Sequence, residues 1–388
     1  MRQKPVFYDT TLRDGNQSLK KPWGLLEKEI IFKKLIELNI PVIEVGFPAS
    51  SEIECETCRV LAHQAPDEVT ISVLARAVDT DIKKAAEVLE GVMHPRIQLF
   101  LAMNPVGLKY VLHKNVDEAI QMALRAVKLA KSLLPIQGEV SFAIEQFGDC
   151  WENLADVLRL VNEVVNAGVD IVVLANTVER THPFAFVEML KKVVDVVRNR
   201  AQLSVHCHND LGMATATTVE SFFAGATQLE TTINGIGERC GNTNMFEVAM
   251  ALHNSDVKVD LNMKKFYEVA CLVSEMSGIN IWDKAPLIGK DCFVHRSGVH
   301  QDGANKTKGL AKGQYIPYRP ELIGRVDGEH LAFTSQSGSA ALQSICCSVG
   351  YPLSSEQVLR LLPKAKELAQ VKGELSSSDV SQLCLHNG

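Results

Sequence analysis

The sequence predicts an α/β protein: a (β/α)8 TIM barrel followed by a mostly helical C-terminal subdomain region. Strand-like and helix-like segments alternate from the start, giving eight units in roughly 250 residues, as such a barrel requires. Apolar-periodic stretches such as Val116–Leu133 and Leu154–Ala167 supply helices between the strands. The polar residues that look chemically useful fall at strand ends, where barrels of this kind place their sites.

Val6–Thr11 is the first strand, ending at Leu12-Arg13-Asp14-Gly15, and a helix pattern runs from Leu25 to Leu38. Val42–Phe47, Thr70–Leu74, Arg96–Leu101, Glu139–Ile144 and Asp170–Ala175 are the second to sixth strands. The seventh begins at Leu203 and carries His206-Cys207-His208; Gln228–Ile233 is the eighth. Ala167-Gly168 and Ala224-Gly225 read as helix stops just before a strand. A doubly wound open sheet is the alternative. It rarely needs eight such regular units, and no glycine-rich dinucleotide turn follows the first strand.

The alternation stops near residue 255, so residues 1–255 are expected to form the barrel and 256–388 a linker with helical subdomains. Phe266–Met276 reads as a helix. Phe293–Gly303 is polar and glycine-rich, and a loop runs through Tyr315–Pro320. Ser337–Val349 and Ser355–Val371 read as helices, and the Ser-rich stretch from Gly373 to Gly388 as a frayed end.

Composition narrows the function. Hydrophobic residues make up 46% and charged residues 22% of the 388, an ordinary globular balance. A net charge of −6 without a basic block speaks against nucleic acid as partner. No apolar run reaches the length of a membrane span, and the N-terminus leads into a strand without a signal-peptide pattern. The ten cysteines are scattered. Cys55-x-x-Cys58 lies in a helix-like segment without a second pair, so free thiols and a reducing cytoplasm are expected.

His206 and His208 are two apart on a strand, so they share a face about 6.6 Å apart at the backbone, a separation that lets two imidazoles converge on one metal ion. In a closed barrel, strands one, seven and eight are neighbours, which brings Asp14 to the same mouth. Two His and one carboxylate leave open positions on a divalent cation, and a 2-oxo acid can fill two of them. Arg13 is then placed to stabilise an oxyanion; its bland reading is a local ion pair in a turn. Gly235–Asn242 is a glycine-dense loop, suited either to close ligand approach or to a plain tight turn. Glu238 there serves proton transfer or pairs with Arg239 at the surface.

Tyr8–Gly15, His206–Gly212, Asn234–Asn242, His295–Gly303 and Tyr315-Ile316-Pro317 together resemble the 2-isopropylmalate synthase / homocitrate synthase family, Claisen-type acyltransferases of the metal-dependent lyase superfamily. The resemblance implies condensation of acetyl-CoA with a 2-oxo acid, then thioester hydrolysis to release CoA. It implies a divalent metal (Mg, Mn or Zn) on Asp14, His206 and His208, with Asn242 in or beside the ligand set. Arg13 resembles the residue that stabilises the enolate or alkoxide, Thr177 a threonine that binds the 2-oxo acid carboxylate, and Glu238 a glutamate at the reaction centre. Glu145, at the end of strand five, is expected to contact substrate. His300 and Tyr315 resemble a pair that the C-terminal subdomain delivers into a partner chain's barrel, which implies a homodimer.

The chain departs from the family pattern in several places. Asn16 stands where Glu is usual. The strand-four stretch Ile97–Pro105 lacks the usual His and Thr-Ser pair. Strand five ends Ala143-Ile144-Glu145-Gln146 rather than Ser-x-Glu-Asp, and Phe333–Gly338 lacks a Gly-Lys-His-Ser-Gly pattern. Strands four and five shape the acceptor pocket, so these changes bear on the acceptor. The expected acceptor is 3-methyl-2-oxobutanoate, giving 2-isopropylmalate for leucine biosynthesis; 2-oxoglutarate (homocitrate) and pyruvate (citramalate) are the alternatives. A lyase acting on a 3-hydroxy-3-methylglutaryl thioester and a non-catalytic relative are the other classes. The chain stops where members with a regulatory domain continue, which implies either no leucine feedback or a shortened chain.

Overall fold

The computed structural model describes residues 4–307, 309–310, 313–326 and 330–387. Eight parallel strands close into a barrel in sequence order: β1 Val6–Asp9, β2 Val42–Gly46, β3 Thr70–Arg76, β4 Pro95–Ala102, β5 Glu139–Glu145, β6 Ile171–Asn176, β7 Gln202–Cys207 and β8 Gln228–Thr231. Pairing of β1 with β8, Val6 opposite Gln228 through Asp9 opposite Thr231, completes the ring. That closure excludes the open doubly wound sheet. The outer ring is α1 Leu25–Glu37, α2 Glu52–His63, α3 Asp79–Val88, α4 Val116–Leu133, α5 Leu154–Asn166, α6 Pro183–Val197, α7 Ala214–Ala224 and α8 Met245–Asn254.

The strands are buried almost throughout because helices cover one face and the barrel interior the other. Apolar strand residues such as Phe142 and Val205 are fully buried, and β-branched runs favour the pleat. Each helix turns its apolar stripe inward; on α5 this is Val157, Leu160, Val161, Val164 and Val165. Caps set the ends. Asn115 and Glu118 exchange hydrogen bonds at the start of α4, and the expected stops Gly168 and Gly225 adopt φ +100° and +124°.

The barrel interior is more polar than a run of apolar strands suggests. Arg96 donates to Glu139 and Gln228, Gln228 to Ser204, and Ser204 to Glu230. Ser141 donates to Gln98, and Gln98 donates to Glu230. These groups lie on alternate positions of β4, β5, β7 and β8 and satisfy one another, which burial of polar side chains demands.

Contacts divide the chain into two compact units, Met1–Asn262 with Val269–Asn280, and Met263–Glu268 with Ile281–Gly388. In the first of these, Cys55 and Cys58 are buried free thiols on α2. In the second unit a parallel bridge of two-residue strands, β9 Val294–His295 and β10 His330–Leu331, stands beside helices α10 Gly298–Lys306, α11 Ser339–Ser348, α12 Ser355–Lys372 and α13 Ser377–Asn387. A ninth barrel-side helix, α9 Phe266–Ser277, precedes them.

One sequence expectation is corrected here, and one stretch left without an element proves helical. The polar, glycine-rich stretch, without a sequence expectation of helix, is helical over Gly298–Lys306, because the buried Gln301 donates to the His295 and Ala332 carbonyl oxygens and ties that segment down. The segment after Gly373 is not frayed. Ser376 and Asp379 cap α13 reciprocally, and Val380 and Cys384 enter a core with Phe333, Leu342 and Leu361. Gly388 lies outside the described residues.

Candidate metal centre and acceptor pocket

The site begins where β1 ends. Thr10 caps a π-type turn over Thr11–Gly15 by accepting the Asp14 N–H. That turn aims Arg13 and Asp14 into the mouth. Arg13 Nε donates to Glu44 Oε2 at 2.7 Å, and its Nη1 donates to Asp14 Oδ1 at 3.0 Å. Glu44 is fully buried on β2 and also accepts the Thr10 hydroxyl at 2.5 Å. Burial works against the Arg13 charge, but Glu44 and Asp14 outweigh it and keep the guanidinium cationic. The local ion pair of the bland reading therefore exists, within a larger arrangement.

His206 lies near the end of β7, and His208 follows the strand in an isolated bridge with Asn242. Their Nε2 atoms are 3.2 Å apart. Asp14, His206 and His208 each place a ligand atom within 4.8 Å of the others, and all three are buried. His206 Nδ1 lies 3.1 Å from Glu230 Oε2. A carboxylate there needs a donor, so the proton sits on Nδ1 and the Nε2 lone pair faces His208. Burial, then the neighbouring His206, pushes His208 down to about 4, so it is a neutral imidazole at neutral pH. Burial alone would raise Asp14, but Arg13, both imidazoles and the Asn242 amide bring it below its usual value. Two imidazole nitrogens and a carboxylate aimed at one point fit a divalent cation with open positions.

Asn242 Nδ2 donates to Asp14 Oδ2 at 2.7 Å, while its oxygen accepts the Thr243 N–H at 2.7 Å. Here it steadies the Asp14 carboxylate from beside the ligand set. The glycine-dense loop explains itself in the same geometry. A Cβ on Gly237 would stand 2.9 Å from Asp14 Oδ2, and one on Gly241 (φ +107°) 2.3 Å from the Gly235 carbonyl oxygen. Glycine is needed there so that the loop backbone can close over Asp14. The alternative pairing of Glu238 with Arg239 does not form: Glu238 accepts from Gln17, which also donates to Asp14, and Arg239 pairs with Asp210.

A cavity of about 320 Å³ opens beside these groups. Arg13, Asp14, His206, His208, Glu238 and Arg239 line it together with the apolar Phe47, Leu74, Phe100, Ala143, Val173 and Ala175 and the polar Gln98 and Glu230. Thr177 and Glu145 also line it. The Thr177 hydroxyl oxygen accepts the Gln146 N–H at 2.8 Å, which leaves its own proton to donate. Burial raises Glu145 above its usual value. A larger depression of about 540 Å³ lies at the opposite strand ends, around Glu139, Asp170 and Gln202, away from all the candidate residues.

His300 and Tyr315 belong to the second unit. Their rings stack 4.1 Å apart at 13°, with His295 6.4 Å from His300. Tyr315 takes φ +67°, a left-handed conformation uncommon for a bulky residue.

Sequence reasoning missed Glu44, Glu230 and Gln98. The available signal was a carboxylate inside an apolar strand, in Val42-Ile43-Glu44-Val45 and Leu229-Glu230-Thr231, since a buried charge requires a partner. Glu230→Gln replaces the carboxylate behind His206 with a neutral amide. Metal affinity is expected to fall about 10–100-fold, as measured by Mn²⁺ titration.

Comparison with known proteins agrees with this geometry. Residues 4–273 match the HMGL-like family and residues 287–373 the homocitrate synthase post-HMGL domain-like family. A protein of Leptospira interrogans named 2-isopropylmalate synthase 2 is 46% identical over 95% of this chain and 86% of its own length. The 2-isopropylmalate synthase of Geobacillus kaustophilus is 36% identical over 98% and 73%. Among solved structures, hydroxymethylglutaryl-CoA lyase from Pseudomonas aeruginosa superposes with TM-score 0.62 at 20% identity, covering 72% of this chain and 95% of that one, a likeness of fold. No described helix is long and apolar enough to cross a membrane. A match running through both the barrel and the segment beyond it places the protein in the 2-isopropylmalate synthase / homocitrate synthase family of HMGL-like enzymes.

Proposed function

We propose that the protein condenses acetyl-CoA with 3-methyl-2-oxobutanoate and that water then hydrolyses the resulting thioester, giving 2-isopropylmalate and CoA, in the cytoplasm and in the service of leucine synthesis. The observation that carries the acceptor is the mixed lining of the cavity. Asp14, His206, His208 and Arg13 line it together with the apolar Phe47, Leu74, Phe100 and Val173. A 2-oxo acid with a branched aliphatic side chain complements both kinds of group.

A divalent cation (Mg, Mn or Zn) held by Asp14, His206 and His208, with Asn242 beside them, supplies Lewis acidity to the keto group. Arg13, fixed by Glu44, stabilises the negative charge that develops on the attacked carbonyl oxygen. The Thr177 hydroxyl proton takes the acceptor carboxylate, and Glu145 contacts substrate from the end of β5. Glu238, tied to Asp14 through Gln17, manages protons at the reaction centre. His300, with Tyr315 against its ring, takes the methyl proton of the acetyl group. A second copy of the chain brings that pair to the mouth, so the working enzyme is a homodimer whose region 256–388 serves the partner's barrel, 1–255.

The wall argues against the other acceptors. The second carboxylate of 2-oxoglutarate needs a free cation. Among the described lining residues the cations are Arg13 and Arg239, and both already hold carboxylates. Pyruvate leaves the wall unfilled; each missing methylene costs about 1–3 kcal/mol in such a pocket. The test is CoA release, read with a thiol reagent, over a panel of 2-oxo acids with and without Mg²⁺ or Mn²⁺. Metal-dependent release fastest with 3-methyl-2-oxobutanoate is the expected result. A preference for 2-oxoglutarate or pyruvate moves the acceptor, and no release with any acceptor overturns the reading.

A further inference from the structure

The loops that follow β6, β7 and β8 are joined by one guanidinium. Arg239 Nε donates to Asp210 Oδ1 at 2.7 Å, and Nη2 donates both to Asp210 Oδ2 at 2.9 Å and to the Thr177 carbonyl oxygen at 2.7 Å. Asp210 Oδ2 also accepts the Glu179 N–H at 3.0 Å. The Glu179 carboxylate, on a residue 2% exposed, accepts the N–H groups of Leu211 at 2.6 Å and Met213 at 3.4 Å. The loops after β6 and β7 are thus bonded to each other in both directions, and Arg239 ties the loop after β8 to both. Arg239 stands at φ +55°, a conformation a non-glycine residue holds only when its surroundings enforce it. In that turn Glu238 and Arg239, consecutive in sequence, both line the mouth cavity while bonding to different elements.

We propose that Arg239 is a positioning residue for the 2-oxo acid: it fixes the peptide that carries Thr177, with Asp210 and the buried Glu179 as its anchor. The proposal rests on the acceptor-binding role of Thr177 given above. Thr177 uses its hydroxyl oxygen to accept from Gln146 and its carbonyl oxygen to accept from Arg239. The residue is therefore held at two atoms, and the hydroxyl proton is left for a ligand. A hydroxyl that must meet a carboxylate in one geometry needs this kind of support. An exposed Arg–Asp pair by itself contributes little; the bond to the backbone and the buried anchor give this one its role. Lysine carries the charge but not the fork, so it cannot hold Asp210 and the Thr177 carbonyl together.

The experiment compares the full-length wild type with Arg239→Ala and Arg239→Lys. It measures steady-state kinetics on 3-methyl-2-oxobutanoate and acetyl-CoA, Mn²⁺ affinity, and amide hydrogen exchange over residues 177–179 and 209–213. In both variants KM for the 2-oxo acid is expected to rise about tenfold or more, and exchange in the two segments to quicken. KM for acetyl-CoA and the Mn²⁺ affinity are expected to stay within about twofold, since Arg239 bonds to neither the ligand set nor its supports. Rescue by lysine, an unchanged KM, or a uniform loss of all parameters with a lowered Tm overturns the proposal. So does a raised KM with unchanged exchange, which would make Arg239 a direct ligand of the acceptor. If the wild type turns over no 2-oxo acid, the acceptor reading has failed; unchanged exchange in the variants then overturns the positioning claim, and quickened exchange upholds Arg239's hold on Thr177.

Discussion

Asp14→Asn is expected to abolish metal-dependent turnover, with a loss of about 10³-fold or more from the several kcal/mol a bound cation supplies. The substitution is nearly isosteric. Its amide oxygen can still accept from Asn242, whose Nδ2 is 2.7 Å from Asp14 Oδ2, but the amide nitrogen then faces the Arg13 and Gln17 donors that Asp14 Oδ1 accepts, so one acceptor is lost with the charge. The two imidazoles remain, but two neutral nitrogens hold a hard divalent cation far less well than two nitrogens and a carboxylate. Metal content after gel filtration, together with turnover at rising Mn²⁺, checks the prediction. Partial recovery at high Mn²⁺ supports a ligand role; unchanged metal content would remove Asp14 from the ligand set.

Arg13→Ala is expected to lower turnover about 10²–10³-fold, some 2.7–4 kcal/mol at the transition state, while metal affinity changes much less. A second effect must be separated from this one. Glu44 is 0% exposed and takes the Arg13 Nε at 2.7 Å, so removing the guanidinium strands a buried carboxylate, which costs about 3–5 kcal/mol of stability. The double variant Arg13→Ala/Glu44→Gln removes the stranded charge. It is expected to recover most of the lost Tm and none of the lost turnover. Turnover that returned with stability would mean that Arg13 serves the fold and not the reaction.

The reasons some of this was legible in sequence are specific. The barrel was legible because strand-like runs alternate with amphipathic helices eight times over, even though β4, β5, β7 and β8 carry polar residues at alternate positions. The His206-x-His208 pair was legible because strand periodicity alone puts both side chains on one face, and Asp14 because barrel closure makes the first and last strands neighbours. The fold of the second unit was less legible. Helix α10 is rich in glycine and polar residues and is held by one buried glutamine, Gln301. Helix α13 is stabilised by its cap and by Val380 and Cys384 in a core built from residues far away in sequence.

By itself, then, the sequence determined the order of the elements, the mouth at which the site lies, and the Asp14, His206 and His208 set, because these follow from local periodicity and from the rule that a barrel closes on itself. Tertiary structure alone decided what each of those residues does next. It put Glu230 behind His206, Glu44 beneath Arg13, the Gly237 backbone against Asp14, and Arg239 on Asp210 rather than beside Glu238. Those choices depend on which buried charge reaches which partner across the barrel, and chain order does not encode that distance.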